Sequence, residues 1–259
     1  MKWLWVLIGG IVAFVAADVA WRSTDISGFL SMTLFVGAMV VPITMVTFFY
    51  EHIHDRDISV GLLVFSFVFG GGIGLTAAYY LEYYTISQIG VGQLVAVGFI
   101  EETAKLIFPV FMYMNWRQHH EADGLNFGVA AGMGFATLET IGYGLSVLAQ
   151  TNSSISSLEQ LLIIRGLLSP AGHAAWTGIV CAILWRERER LGKITINSAV
   201  IAAYLLVVFL HFSWDFFSTI NLPQAVAIIG LLAVAALSFS LLMLKYREAR
   251  RDLKKEALF

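Results

Sequence analysis

Residues 91–114 read VGQLVAVGFIEETAKLIFPVFMYM, an apolar run interrupted by three charged side chains. The run is long enough for an α-helix to cross about 30 Å of hydrocarbon, since each residue adds about 1.5 Å. Glu101, Glu102 and Lys105 would then lie deep in the bilayer, where a single charge costs about 2.5–3.5 kcal/mol on insertion scales. Such groups are usually retained because they pair with one another or have a function. The stretch therefore predicts a polar site inside a membrane-spanning helix.

The composition of the whole chain is that of an integral membrane protein. Of its 259 residues, 58% are hydrophobic and 13% are charged, and the mean hydropathy is +0.78. Soluble domains carry about 25% charged residues. The net charge of −2 gives no reason to expect a nucleic-acid partner. Cys181 is the only cysteine, so we expect a packed thiol and neither a disulfide nor a cysteine metal motif.

The fold class predicted from hydropathy is an all-α, polytopic bundle of about eight transmembrane helices. The polar stretches between the apolar runs are short, which indicates antiparallel neighbours and a single domain over residues 1–259. The predicted spans are 3–21, 29–50, 60–81, 91–114, 125–149, 161–185, 196–217 and 225–244.

The placement of Lys and Arg orients this bundle in a membrane. Thirteen of these side chains fall on one side of the eight-span arrangement, and Arg22 alone falls on the other. Cytoplasmic loops carry the excess of positive charge, so we expect the C-terminus to be cytoplasmic. The first apolar run ends in Val15-Ala16-Ala17 and could also be a cleaved signal peptide. We favour a retained helix, and the orientation of the other spans is the same in both cases.

Four ionisable side chains on four different spans are predicted to share one depth. They are Glu101, Glu139, His173 and His211. Counting residues from the cytoplasmic end of each span places all four at roughly 18–22 Å, in the outer half of the bilayer. Asp215 lies one turn from His211 on the same helix face, and Arg165 lies two turns outward of His173. We expect Arg165 to pair with Asp215, and Lys105 to neutralise one of the carboxylates beside it.

This group of side chains suits the activation of water by one of two routes. In one route a glutamate is the general base and a histidine stabilises the developing oxyanion, with no cofactor. In the other, one divalent metal ion, for which zinc is the first candidate, is held by imidazole and carboxylate groups. Its ligands would come from Glu101, Glu139, His173 and His211. Proton-coupled transport and a purely structural ion network are the alternative roles for the same residues.

At these positions the chain resembles the PrsW-type intramembrane proteases. Glu101-Glu102-Thr-Ala-Lys105 is similar to their Glu-Glu-x-x-Lys motif, and Phe135-Ala-Thr-Leu-Glu139 is similar to their Phe-x-x-x-Glu segment. His173 and the pair His211 and Asp215 resemble the third and fourth motifs. The related CAAX-prenyl proteases have histidine in place of Glu139 and asparagine in place of Asp215, so the resemblance favours the PrsW branch. The motif-bearing core runs from about 91 to 217.

The resemblance implies cleavage of single-span membrane proteins in a bacterial plasma membrane. The best-known role of the family is the first, extracytoplasmic cut of an anti-sigma factor in a stress response. By motif position, Glu101 would activate water with help from Glu139 or His173, and His211, oriented by Asp215, would stabilise the oxyanion. Glu102, which belongs to the predicted catalytic set, and Lys105 would support the site or position the substrate. Arg165 lies outside the four motifs, and we expect it to be a supporting residue. We lean to the glutamate route, because the sequence contains no firm pattern of three metal ligands.

Overall fold

Helices make up nearly all of the computed structural model, which describes residues 1–53, 58–85, 91–115, 120–151 and 154–256. A π-helical turn, Ser66–Gly70, joins α3 to α4, and a 3₁₀ turn, Ser169–Ala171, joins α7 to α8. The α-helices are α1 (Lys2–Thr24), α2 (Ser27–Ile53), α3 (Val60–Phe65), α4 (Gly71–Thr85), α5 (Val91–Asn115), α6 (Glu121–Gln150), α7 (Ile155–Leu168), α8 (His173–Leu191), α9 (Ser198–Thr219) and α10 (Gln224–Glu256).

Within these ranges, six helical stretches are long and apolar enough to cross a membrane. They are Lys2–Thr24, Ser27–Ile53, Val60–Thr85, Ile155–Leu191, Ser198–Thr219 and Gln224–Lys255. The helices α5 and α6 coincide with the two other predicted spans but are not among these six stretches. The helix α5 carries three charged residues at its centre, and α6 is rich in glycine. The all-α, polytopic class is confirmed, whereas the count of eight spans stays a prediction.

The helix α6 lies at the centre of the bundle and packs against α2, α4, α5 and α8. Two of its glycines face α8 at very short range. A Cβ on Gly128 would lie 2.6 Å from the backbone oxygen of Thr177, and a Cβ on Gly132 would lie 2.2 Å from that of His173. Small residues are what allow helices to approach this closely. The glycines of α6 therefore hold the start of α8 against the middle of α6.

The glycines that follow the π-helical turn bring α4 onto the same central helix. A Cβ on Gly71 would lie 2.4 Å from the backbone carbonyl carbon of Gly134. One turn earlier, Ser66 Oγ donates a hydrogen bond of 2.9 Å to the backbone oxygen of Phe127. Short π-helical stretches occur mostly as single-turn bulges inside α-helices and are frequent at functional sites. Here the turn precedes the part of α4 that reaches the candidate site.

The predicted span 161–185 is not one continuous helix. It divides where Pro170 and Gly172 interrupt the helical pattern between α7 and α8. Pro170 has no N–H to donate to the preceding turn, and Gly172 adopts φ −100° and ψ −97°, outside the helical range. Hydropathy could not predict this break because the apolar character continues through it. As a result, His173 is the first residue of α8.

Contacts between helix ends agree with an antiparallel arrangement. The start of α1 meets the end of α2, where the Trp3 backbone N–H donates to Glu51 Oε2 over 3.1 Å. At the same end of the bundle, Lys245 Nζ lies 3.4 Å from Glu121 Oε1. Arg22 pairs with Asp18 of its own helix and reaches α7 at the opposite end. The loop cations Arg56 and Arg117 lie outside the described residues, and the cytoplasmic position of the C-terminus stays a prediction.

Candidate active site

A cavity of about 460 Å³ lies among α4 to α9 and brings together the ionisable residues predicted to share a depth. Six of the predicted site residues line it, namely Glu101, Glu139, Arg165, His173, His211 and Asp215. The two others, Glu102 and Lys105, are buried directly behind its wall, with 1% and 0% of their surface exposed. All eight predicted residues therefore belong to one cavity and its immediate support.

The first cluster of charges is built on α5. Lys105 Nζ lies 3.0 Å from Glu101 Oε2 and 2.7 Å from Glu102 Oε1. Residues three and four apart are neighbours on a helix surface, so one ammonium can reach both carboxylates. The ammonium also lies 4.5 Å from the centre of the Phe135 ring. Lys105 therefore neutralises both glutamates, where the sequence suggested only one.

The imidazole of His211 joins this cluster from α9. Its Nδ1 lies 2.7 Å from Glu102 Oε1. An ionised carboxylate can only accept, so the hydrogen in this bond belongs to Nδ1. The other nitrogen, Nε2, lies 3.8 Å from Glu101 Oε2 and 3.4 Å from Asp215 Oδ2. Glu102 therefore orients the imidazole at Nδ1, a role that the sequence predicts for Asp215. The other nitrogen, Nε2, is directed towards Glu101 and Asp215.

The second cluster joins α6, α7 and α8. Glu139 Oε2 lies 3.2 Å from His173 Nε2 and 2.5 Å from Arg165 Nη2. Arg165 Nε also donates to Thr140 Oγ1 over 2.8 Å, and its guanidinium lies 4.6 Å from the centre of the Tyr143 ring. The predicted pairing of Arg165 with Asp215 is wrong. Since α7 packs on α6, the guanidinium reaches the adjacent Glu139 and Thr140 instead of α9.

Two residues of α4 that sequence reasoning missed, Tyr79 and Glu82, also line the cavity. They are three apart and share one helix face. Glu82 directly follows the predicted third span, a position where a solvated carboxylate is the usual expectation. One sequence feature does point to Glu82: it is an acidic residue at the outer end of the span that directly precedes α5. The cavity therefore extends beyond the predicted core of residues 91–217.

The ligand chemistry for a metal ion is present, but its arrangement is not that of one site. Imidazole and carboxylate groups are the donors that zinc takes. Among the described residues, however, no three His, Cys, Asp or Glu side chains are grouped so as to hold one ion. The carboxylate oxygens that face the imidazoles already have cationic neighbours, Lys105 at Glu101 and Arg165 at Glu139. The predicted ligand set Glu101, Glu139, His173 and His211 does not fit a single metal ion here.

Comparison with known proteins agrees with this site. The family model of the PrsW family intramembrane metalloproteases matches residues 59–243, which include every site residue named above. The description of the family is consistent with a metal ion as cofactor. Comparisons with curated proteins and with solved structures gave no match. Because the family match extends over well more than half of the sequence, this chain belongs to the PrsW family and is a membrane-embedded endopeptidase.

Proposed function

We propose that this protein hydrolyses a peptide bond in single-span membrane proteins and that Glu101 activates the attacking water. The observation that carries this proposal is the position of Glu101 Oε2. This oxygen lies 3.0 Å from Lys105 Nζ and 3.8 Å from His211 Nε2, has no other partner among the described residues, and belongs to a side chain that lines the cavity. A carboxylate has about four acceptor positions, so one that pairs with a single ammonium can still accept a hydrogen bond from a water molecule and remove its proton.

In the proposed reaction the water oxygen bonds to the carbonyl carbon while its proton passes to Glu101. The imidazolium form of His211 donates from Nε2 to the oxyanion that develops, and Glu102 holds the ring at Nδ1. The carbon–nitrogen bond then breaks, and the proton on Glu101 passes to the leaving nitrogen. A carboxyl end and an amine end are released, and Glu101 returns to its ionised form.

The cluster of Glu139, Arg165 and His173 is proposed to position the peptide. Arg165 holds Glu139 with a short ion pair, and Glu139 in turn faces His173 Nε2. An unwound peptide segment exposes N–H and C=O groups that find no partner in lipid. Polar side chains fixed by such a network can bind those groups, because their own geometry is already set before the substrate arrives.

A metal-bound water is the second route, and the description of the family supports it. The arrangement of the ligands favours the glutamate route, since Lys105 and Arg165 hold the carboxylates that the ion would need. Metal analysis of the purified protein, together with a chelator test on cleavage, separates the two. Stoichiometric zinc whose removal abolishes cleavage, and whose return restores it, would overturn the glutamate route.

The position of the cavity supports cleavage on the extracytoplasmic side. Its lining includes Glu82 near the end of α4, Leu94 near the start of α5 and Thr219 at the end of α9. In the antiparallel bundle these positions lie opposite the end that carries the basic segments 186–193 and 245–255. With that basic end in the cytoplasm of a bacterium, the site is accessible from outside. This arrangement suits the first cut of an anti-sigma factor.

The proposed function is tested by mapping new protein ends in membranes that contain the protein. We compare wild type, Glu101→Gln and the matched control Glu159→Gln, whose carboxylate pairs with Arg22 outside the cavity. Wild type and the control should produce new ends near the outer boundary of one or more single-span proteins, and Glu101→Gln should not. Equal cleavage by Glu101→Gln would refute the role of this residue. Proton-driven solute flux with no cleaved protein would favour transport.

A further inference from the structure

Glu82 is a carboxylate of the cavity that the four sequence motifs do not include. It lies on α4, three residues before the end of that helix, and lines the cavity beside Tyr79. Its Oε1 is buried and has no hydrogen-bond partner. The proposed hydrolysis gives this group no task, so its position needs a separate explanation.

The other carboxylates of the site have partners within the protein. Lys105 contacts Glu101 and Glu102, and Arg165 contacts Glu139. Asp215 Oδ2 lies 3.4 Å from His211 Nε2. Within the described part of the chain, Glu82 has no comparable ion pair or hydrogen bond. A partly buried carboxylate without such a partner is unfavourable, and a cationic group of the substrate would supply one.

A cation shared with the other acidic residues does not account for Glu82. No three potential metal ligands are grouped in the described residues, and this search included Glu82. A basic side chain of the substrate can supply the positive charge. A lysine or arginine near the end of a membrane-spanning helix extends its charged head towards the interface, where the cavity could receive it. Tyr79, on the same face of α4, offers an aromatic ring beside the carboxylate.

We infer that Glu82 determines specificity by binding a lysine or arginine side chain of the substrate close to the scissile bond. This inference rests on the proposed function, since it requires a peptide in the cavity. The bond between Glu82 and the basic head is a charge-assisted hydrogen bond. Its loss lowers the preference for a basic over an acidic residue roughly tenfold to a hundredfold.

The test uses the full-length protein in liposomes and a library of single-span peptides with random residues across the outer third of the helix. Mass spectrometry reads the residues around each cleavage site. Wild type should enrich lysine and arginine at a defined position. Glu82→Gln should lose most of that enrichment, and Glu82→Lys should select aspartate and glutamate there. The control Glu159→Gln, a carboxylate outside the cavity, should keep the wild-type profile.

The outcomes separate this inference from the proposed function. A wild-type profile without basic enrichment, or a Glu82→Lys profile that keeps it, refutes the specificity role while cleavage itself stands. Equal loss of enrichment in Glu159→Gln refutes it too, because the effect would not be local. Failure of wild type to cleave any library member overturns the proposed function, and the role of Glu82 with it.

Discussion

Lys105→Met tests whether one buried ammonium holds the site together. Lys105 is fully buried and lies 3.0 and 2.7 Å from two carboxylates. At an effective dielectric constant of about 20, each contact has a Coulomb energy of roughly 5–6 kcal/mol. Removal of the lysine also removes its own desolvation cost, so the net loss is smaller. Buried ion pairs that lose one partner are typically destabilised by about 3–5 kcal/mol, and we expect this range.

The assay is unfolding of the purified protein in detergent, followed by denaturant or temperature. Lys255→Met is the matched control, because its exposed pair with Asp252 should contribute less than about 1 kcal/mol. The double variant Lys105→Met/Glu102→Gln should recover part of the lost stability, since it removes one of the two stranded carboxylates. If Lys105→Met is as stable as the Lys255 control, the two glutamates do not depend on this ammonium and the reasoning fails.

Three further predictions concern the support of the site. Glu102→Gln should lower the cleavage rate about 10- to 100-fold, because His211 loses the carboxylate that orients it. Steady-state kinetics should show this loss in kcat. An unchanged rate would contradict the orienting role of Glu102. Gly132→Ala should destabilise the protein by about 1–3 kcal/mol and reduce cleavage, because its Cβ would meet the His173 backbone oxygen at 2.2 Å. Gly72→Ala is the control for Gly132→Ala in the same unfolding assay, because a Cβ on Gly72 would meet nothing within 4 Å. Equal stability of Gly132→Ala and Gly72→Ala would contradict the packing argument. Chelators should leave the cleavage rate unchanged, as measured with metal-depleted buffers, and full inhibition that zinc reverses would contradict the glutamate route.

The sequence was sufficient to predict the helices and to predict that the ionisable residues share one site in the bundle. Charged side chains in apolar runs are costly, so those that occur tend to meet, and residue counts give their depth. Glu101, Glu139, His173 and His211 were placed together in this way. The four-residue spacing of Gly128 and Gly132 likewise predicts a packing face on α6, and both glycines lie against the backbone of α8 in the structure.

What the sequence could not provide is the direction of each side chain. The sequence predicts a pair of Arg165 with Asp215 because residue counts give the depth of a side chain but not the rotation of α7 about its axis. In the structure Arg165 pairs with Glu139 instead. The residue that orients the His211 ring lies on a different helix, α5. The spacing of residues along α9 can reveal Asp215, four residues from His211, but not Glu102. The position of Glu82 in the cavity could not be predicted, because a carboxylate at the end of a span is normally solvated.

The most direct test of the central claim is the cleavage rate of a reconstituted single-span substrate by wild type and by Glu101→Gln, in liposomes at equal amounts of folded protein. General-base catalysis contributes about 10²–10⁴-fold to a rate, so the variant should lose at least about a hundredfold. Cleavage at the wild-type rate by Glu101→Gln would contradict the assignment of the water-activating base.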